Sequence, residues 1–212
     1  MLFNSYIFIF FFISITVIGY YLIAHCKNDL YSKVWLTLAS LFFYGYWNPS
    51  YLPIIASSII INYYLSVKLN QLNPGKLKKM LFIKGLFFNL GLLGYFKYKN
   101  FFMENINLVM ETDYNFVHIA LPLGISFFTL QQIAYIIDVY EGIAPKVAFH
   151  KYSLFVAFFP QLIAGPIVHY ESVMPQFDDE SKTKFNSSFF SLGIYIFVMG
   201  LAKKVLLADT FA

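Results

Sequence analysis

The stretch LPLGISFFTLQQIAYIIDVY, residues 121–140, carries no charge before Asp138, and the apolar run Ala120–Ile137 reads as a helix passing through hydrocarbon. A helix crosses a hydrocarbon core of ~30 Å with about 20 mostly apolar residues. Within this stretch Gly124, Phe128, Gln131, Tyr135 and Asp138 succeed one another by steps of four, three, four and three. At about 100° per residue those steps collect all five on one stripe of the helix. An amide, a phenol and a carboxylate on a single stripe are costly against lipid, so the stripe faces protein or water. Two readings stay open: the wall of a pocket or pathway, and hydrogen bonding between packed helices. Asp138 also fits an interfacial residue at the cytoplasmic end.

Working outward, six further apolar runs surround this one: Ser5–Ala24, Val34–Trp47, Tyr51–Val67, Leu81–Phe96, Tyr152–Val168 and Phe189–Ala202. The composition agrees. Hydrophobic residues make up 59% of the 212 positions and charged residues 12%, far from the mix of a soluble domain. The expected fold is an all-α, polytopic transmembrane bundle of about six or seven membrane segments, forming one membrane domain over residues 1–212. The run Val34–Trp47 is short, reaching roughly 21 Å at ~1.5 Å per residue. Asn48-Pro49 ends it, and Asn73-Pro74-Gly75 marks a tight turn between the third and fourth runs. The first run is too long for the apolar part of a signal peptide and has no basic segment before it, so it reads as a retained helix.

All fifteen basic residues are Lys. Without a guanidinium fork, bidentate capture of phosphate or carboxylate is disfavoured, and a net charge of +4 is no nucleic-acid signal. Lysines between apolar runs report topology instead. With the N-terminus outside and every run crossing, the inner side holds Lys27, Lys33, Lys68, Lys76, Lys78, Lys79, Lys84, Lys146, Lys151, Lys203 and Lys204. The outer side holds only Lys97, Lys99, Lys182 and Lys184. This bias places the N-terminus and Asp178–Lys184 outside, and the turn at Asn70–Met80 in the cytoplasm.

The sixth run contains FFPQLIAGPI, residues 158–167. Pro160 and Pro166 each remove a backbone donor and free a carbonyl about one turn earlier. Gln161 adds an amide, and Gly165 allows close backbone approach. A kinked packing helix and a broken helix lining a wet cavity both fit this pattern. His25, His118, His150 and His169 lie at run ends or in loops, none in a close metal-ligand pair, and His169 is the outer-side candidate among them. The single Cys26 excludes an internal disulfide, and no metal site is expected.

Several of these stretches carry a family resemblance. MLFNSYIFIF at the start, SLFFYGYWNP (40–49), NLGLLGYFKYKNFF (89–102), LPLGISFFTLQQIAYIIDVY (121–140), FFPQLIAGPI (158–167) and GLAKKVLLAD (200–209) occur in this order. Together they resemble the N-terminal portion of membrane-bound O-acyltransferases of the alginate and polysaccharide O-acetylating type. The resemblance implies transfer of an acyl group, acetyl first among candidates, from a cytoplasmic thioester such as acetyl-CoA through a membrane channel. No cofactor is expected to be held. The acceptor would be an extracellular or periplasmic polysaccharide, alginate-like or peptidoglycan, with a partner acyltransferase outside and residence in the bacterial inner membrane.

On this reading Gln131, Tyr135, Asp138, Gln161, Gly165 and Pro166 would line the acyl pathway. The histidine that the family uses in the chemistry falls beyond residue 212, so no catalytic residue is assigned and the chain alone is expected to be inactive. The competing readings are a transporter or flippase, because broken helices with polar groups at membrane depth also occur there, and a non-catalytic scaffold for a partner acyltransferase.

Overall fold

A computed structural model of the chain describes residues 2–25, 29–111, 120–162, 165, 168–179 and 184–211. The elements among them are helices: α1 (Ile7–His25), α2 (Asp29–Trp47), α3 (Leu52–Gln71), α4 (Lys76–Met110), α5 (Ile125–Glu141), α6 (Phe149–Ala157), α7 (Phe159–Leu162), α8 (Tyr170–Asp178) and α9 (Ser187–Ala202). The first turns of α1, Ile7–Phe12, are π-helical, and a π-helical segment Lys203–Ala208 continues α9. Among the described residues, four spans are long and apolar enough to cross a bilayer: Ile7–His25, Pro49–Gln71, Lys76–Met110 and Ser187–Ala208. The protein is an all-helical integral membrane protein.

The chain divides into two compact units, Met1–Ala39 with Pro175–Ala212, and Ser40–Met174. In the first, Trp35 donates its indole N–H to the Thr16 carbonyl at 3.0 Å, tying the start of α2 to α1. Lys33 is buried to 1% exposure and forms an ion pair with Asp178. That pairing explains why α2 begins at Asp29 rather than at Val34. With its charge met inside the unit, Lys33 becomes tolerable in the helix, which gains five residues and reaches about 28 Å at ~1.5 Å per residue.

In the second unit α3 and α4 form a hairpin turned by residues 72–75. The α4 helix runs on through Glu104 to Met110, well past the apolar run that ends at Phe96. Lys97 and Lys99 sit over the rings of Tyr98 and Tyr95, each 5.5 Å from the centroid, as an interfacial aromatic belt would place them. The C-terminal end of α5 lies beside the start of α4, where Phe82 stacks on Tyr140 at 4.2 Å and Lys78 covers the same ring. One end of this unit therefore gathers the start of α4 and the end of α5, and with them most of its lysines.

The sixth run is not one continuous helix. α6 starts with Phe149 against Tyr63 of α3 and stops at Ala157. The reason is local. Pro160 has no N–H to continue the ladder, and the N–H of Phe159 is donated to Ser40 Oγ at 3.2 Å. Phe158 turns the chain (φ −53°, ψ 110°), and α7 carries it to the start of α5. There the Leu162 carbonyl lies only 2.5 Å from where a Cβ on Gly124 would sit. By His169 the chain is back at the other end of α5, where the imidazole meets Asp138 at 2.9 Å. Tyr170 then packs on Tyr135 and Phe155. His169 was expected on the outer side and Asp138 at the cytoplasmic end; they share one end, because the broken helix folds back. The expectation that Asp178–Lys184 lies outside rested on the same crossing and loses its basis with it.

Gly124 has φ +67°, and its missing side chain makes room for the Leu162 carbonyl; Gly142, at the other end of α5, has φ +82° with open space around it. Alanine at either site costs about 1–2 kcal/mol for the left-handed backbone, and only Gly124→Ala also displaces α7. In detergent, Gly124→Ala should lower the unfolding temperature clearly more than Gly142→Ala. Equal losses would show that α7 does not press on this joint.

Candidate functional site

The stripe on α5 is buried as its composition requires: Phe128 is 0%, Gln131 4%, Tyr135 1% and Asp138 6% exposed. Its polar groups meet protein. Gln131 Nε2 donates to the Phe155 carbonyl at 2.9 Å. In an unbroken helix that carbonyl would accept from Phe159, whose N–H has gone to Ser40, so the α5 amide supplies the bond that the broken α6 gives up. Tyr135 packs in tilted geometry among Tyr152, Phe155 and Tyr170, with centroids 5.0, 6.1 and 5.6 Å away.

Beside the stripe lies a second polar chain that the sequence analysis missed. Asn89 on α4 and Asn62 on α3 exchange amide hydrogen bonds of 2.7 and 3.1 Å. Asn62 also donates to the Ser58 carbonyl, Ser58 Oγ accepts from Gln132 Nε2 at 3.0 Å, and Gln132 Oε1 accepts from the Tyr152 hydroxyl at 3.1 Å. Four helices are linked through groups that are all 0% exposed. The signal for it was present. Ser58, Asn62 and Ser66 fall at intervals of four in an otherwise apolar run, and Gln132 immediately follows Gln131. Three further buried hydroxyls, Tyr44 Oη, Thr129 Oγ1 and Ser153 Oγ, have no hydrogen-bond partner among the described residues.

Gln161 is half-buried at the end of α7. Gly165 donates its N–H to the Gln161 carbonyl at 3.0 Å, and a Cβ there would lie 2.7 Å from Gln161 Cγ. The broken segment is thus closed on itself at this point. Pro166, Cys26 and His118 lie outside the described residues. His25 is exposed at the end of α1, and His150 sits in the first turn of α6. Among the described residues no cluster of His, Cys, Asp or Glu could hold a metal.

Of the residues singled out in advance, the structure joins Asp138 to His169 and gathers Tyr135 beside them. The carboxylate is buried and the imidazole 67% exposed. The hydrogen bond to Asp138, then the charge of Asp138 and of Glu171, hold the His169 pKa above its ordinary value. A raised histidine pKa means that the pair stabilises fully below the unfolded value of about 6.5 and that this contribution fades as pH rises through the folded value. The unfolding-temperature gap between the protein and His169→Gln should therefore be widest near pH ~5.5 and shrink toward pH ~8.5. A gap that stays constant or widens with pH would contradict the pairing.

Comparison with known proteins aligns the whole chain. It is 44% identical, over 238 aligned positions, to a protein named peptidoglycan O-acetyltransferase from Helicobacter pylori, covering all of this chain and 45% of that protein. It is 35% identical to a protein named "Probable alginate O-acetylase AlgI" from Pseudomonas putida and 34% identical to one of the same name from Pseudomonas aeruginosa, covering 44% and 41% of them. The chain spans a little under half the length of these relatives. No family model and no solved structure matches it.

Proposed function

We infer from this homology, which runs the length of the chain and is to O-acetyltransferases of the alginate and peptidoglycan type, that the chain supplies membrane helices to a membrane-bound O-acyltransferase. The observation that carries the reading is the end-to-end alignment at 44% identity. The reaction is transfer of an acyl group, acetyl in the first instance, from a thioester donor such as acetyl-CoA to a polysaccharide hydroxyl beyond the membrane. Attack of the hydroxyl on the thioester carbonyl needs a base to take its proton, and none of the residues described above is assigned that role. Peptidoglycan is the favoured acceptor over alginate, because identity to the peptidoglycan relative exceeds that to the alginate relatives by about ten percentage points. A partner acyltransferase outside the membrane and residence in the inner membrane complete the proposal.

Within it, the second unit builds a rigid wall. Gln131, Tyr135 and Asp138 on α5, with Gln161 and Gly165 on the broken segment packed against it, line the acyl pathway in this reading, and broken backbone at membrane depth persists only where protein buries it or water lines it. The Lys-rich end faces the cytoplasm on the positive-inside rule, which puts Asp138 and His169 on the side where a thioester donor arrives. The named relatives are acetyltransferases, which does not favour the transporter and scaffold readings.

Deletion of the gene and complementation test the reading. Ester-linked acetate released by mild alkali from purified peptidoglycan should fall in the deletion strain and return with the intact gene. Unchanged acetate on peptidoglycan, together with loss from an exopolysaccharide, would reassign the acceptor; unchanged acetate on both would overturn the acyltransferase reading.

A further inference from the structure

The α3–α4 hairpin is closed in its middle and open at its Lys-rich end. Asn62 and Asn89 pin the two helices together, and one turn nearer the open end Leu65 lies against Gly85, where an added Cβ would come within 2.9 Å. Beyond that contact the helices part to reach the turn at 72–75, leaving a cleft of about 340 Å³. That is within the range of about 300–1,000 Å³ common for small-ligand sites. Its walls are Leu72, Leu77 and Met80 among other apolar side chains, with Gln71, Lys68 and Lys84 as the polar groups. Lys68 lies six residues after Asn62 and Lys84 five residues before Asn89, roughly 9 and 7.5 Å along their helices at ~1.5 Å per residue. The backbones of the two lysines thus stand at a similar level, one on each helix, and both line the cleft.

Neither lysine meets a carboxylate among the described residues. The sequence holds no Asp or Glu between Lys68 and Lys99, and Lys76, Lys78 and Lys79 stand close by on the first turn of α4. Lys84 is two turns into α4, where the apolar run has already begun. An ammonium at that depth is costly unless an anion or water reaches it. Apolar side chains and two cations lining one cleft match the chemistry of an anionic phospholipid, with acyl chain on the apolar lining and phosphate at the lysines. We propose that this cleft is a binding site for an anionic phospholipid of the surrounding leaflet.

Native mass spectrometry of the detergent-solubilised chain, titrated with phosphatidylglycerol or phosphatidylcholine, tests this. Phosphatidylglycerol should bind more tightly than phosphatidylcholine. With about fivefold in affinity per lysine near an anionic group, Lys68→Gln with Lys84→Gln should weaken phosphatidylglycerol binding by roughly 25-fold. Met80→Trp, which fills the cleft at an exposed position and leaves every charge in place, should weaken it as well. Lys97→Gln with Lys99→Gln, at the far end of α4, should leave it unchanged. Equal binding of the two lipids, equal weakening by the far-end pair, or no effect of Met80→Trp would each overturn the site. Displacement of the lipid by millimolar inorganic phosphate would reassign the lysines to a free anion and overturn it too.

Discussion

A backbone broken at membrane depth must find partners for the groups that it frees, and most of the second unit is arranged around that constraint. Hydrocarbon offers no water to an orphaned N–H or C=O, and each such group costs several kcal/mol. Pro160 ends α6, so the Phe155 carbonyl and the Phe159 N–H lose each other. The carbonyl turns to Gln131 on α5 and the N–H to Ser40 on α2. The break is thus held on two sides by polar side chains that an unbroken bundle would have no reason to bury. Gly124 completes the joint by leaving space for the Leu162 carbonyl.

That arrangement has a functional consequence. Because the broken segment folds back, a histidine and a carboxylate placed on opposite faces by a simple count of crossings come together at one end. The same segment places Tyr135, Tyr152, Phe155 and Tyr170 in one aromatic cluster directly inside them. The polar chain from Asn89 to Tyr152 then fixes the positions of four helices behind it. In an acyltransferase such a frame would hold a pathway wall still while the reacting groups are brought to it, which is the use that oriented catalysis makes of rigid elements.

Much of this was legible in the amino-acid sequence. The helical class followed from apolar runs, and the α5 stripe followed from a spacing of threes and fours whose burial the structure bears out. Pro160 marked a break that the structure shows between α6 and α7, while Pro166 lies outside the described residues. What could not be read was the direction taken after the break, since a kink and a return have the same local sequence. Lysine counting could not settle it either. If the sixth run returns, Lys182 and Lys184 exchange sides with Lys203 and Lys204, and the bias stays at eleven to four. The early start of α2 was hidden for a related reason, because the partner that neutralises Lys33 lies 145 residues away. Pairings of that range have no local signature.

The return of the sixth run is therefore the claim on which the account turns, and the sidedness of two exposed positions decides it. Single cysteines at Gly75, between α3 and α4, and at Glu171, just after His169, can be introduced in a Cys26→Ser background and labelled with a membrane-impermeant thiol reagent. The account predicts that both positions react from the same side, opposite to a third cysteine at Lys99. Labelling of position 171 from the same side as position 99 would make the sixth run a full crossing and would separate His169 from Asp138.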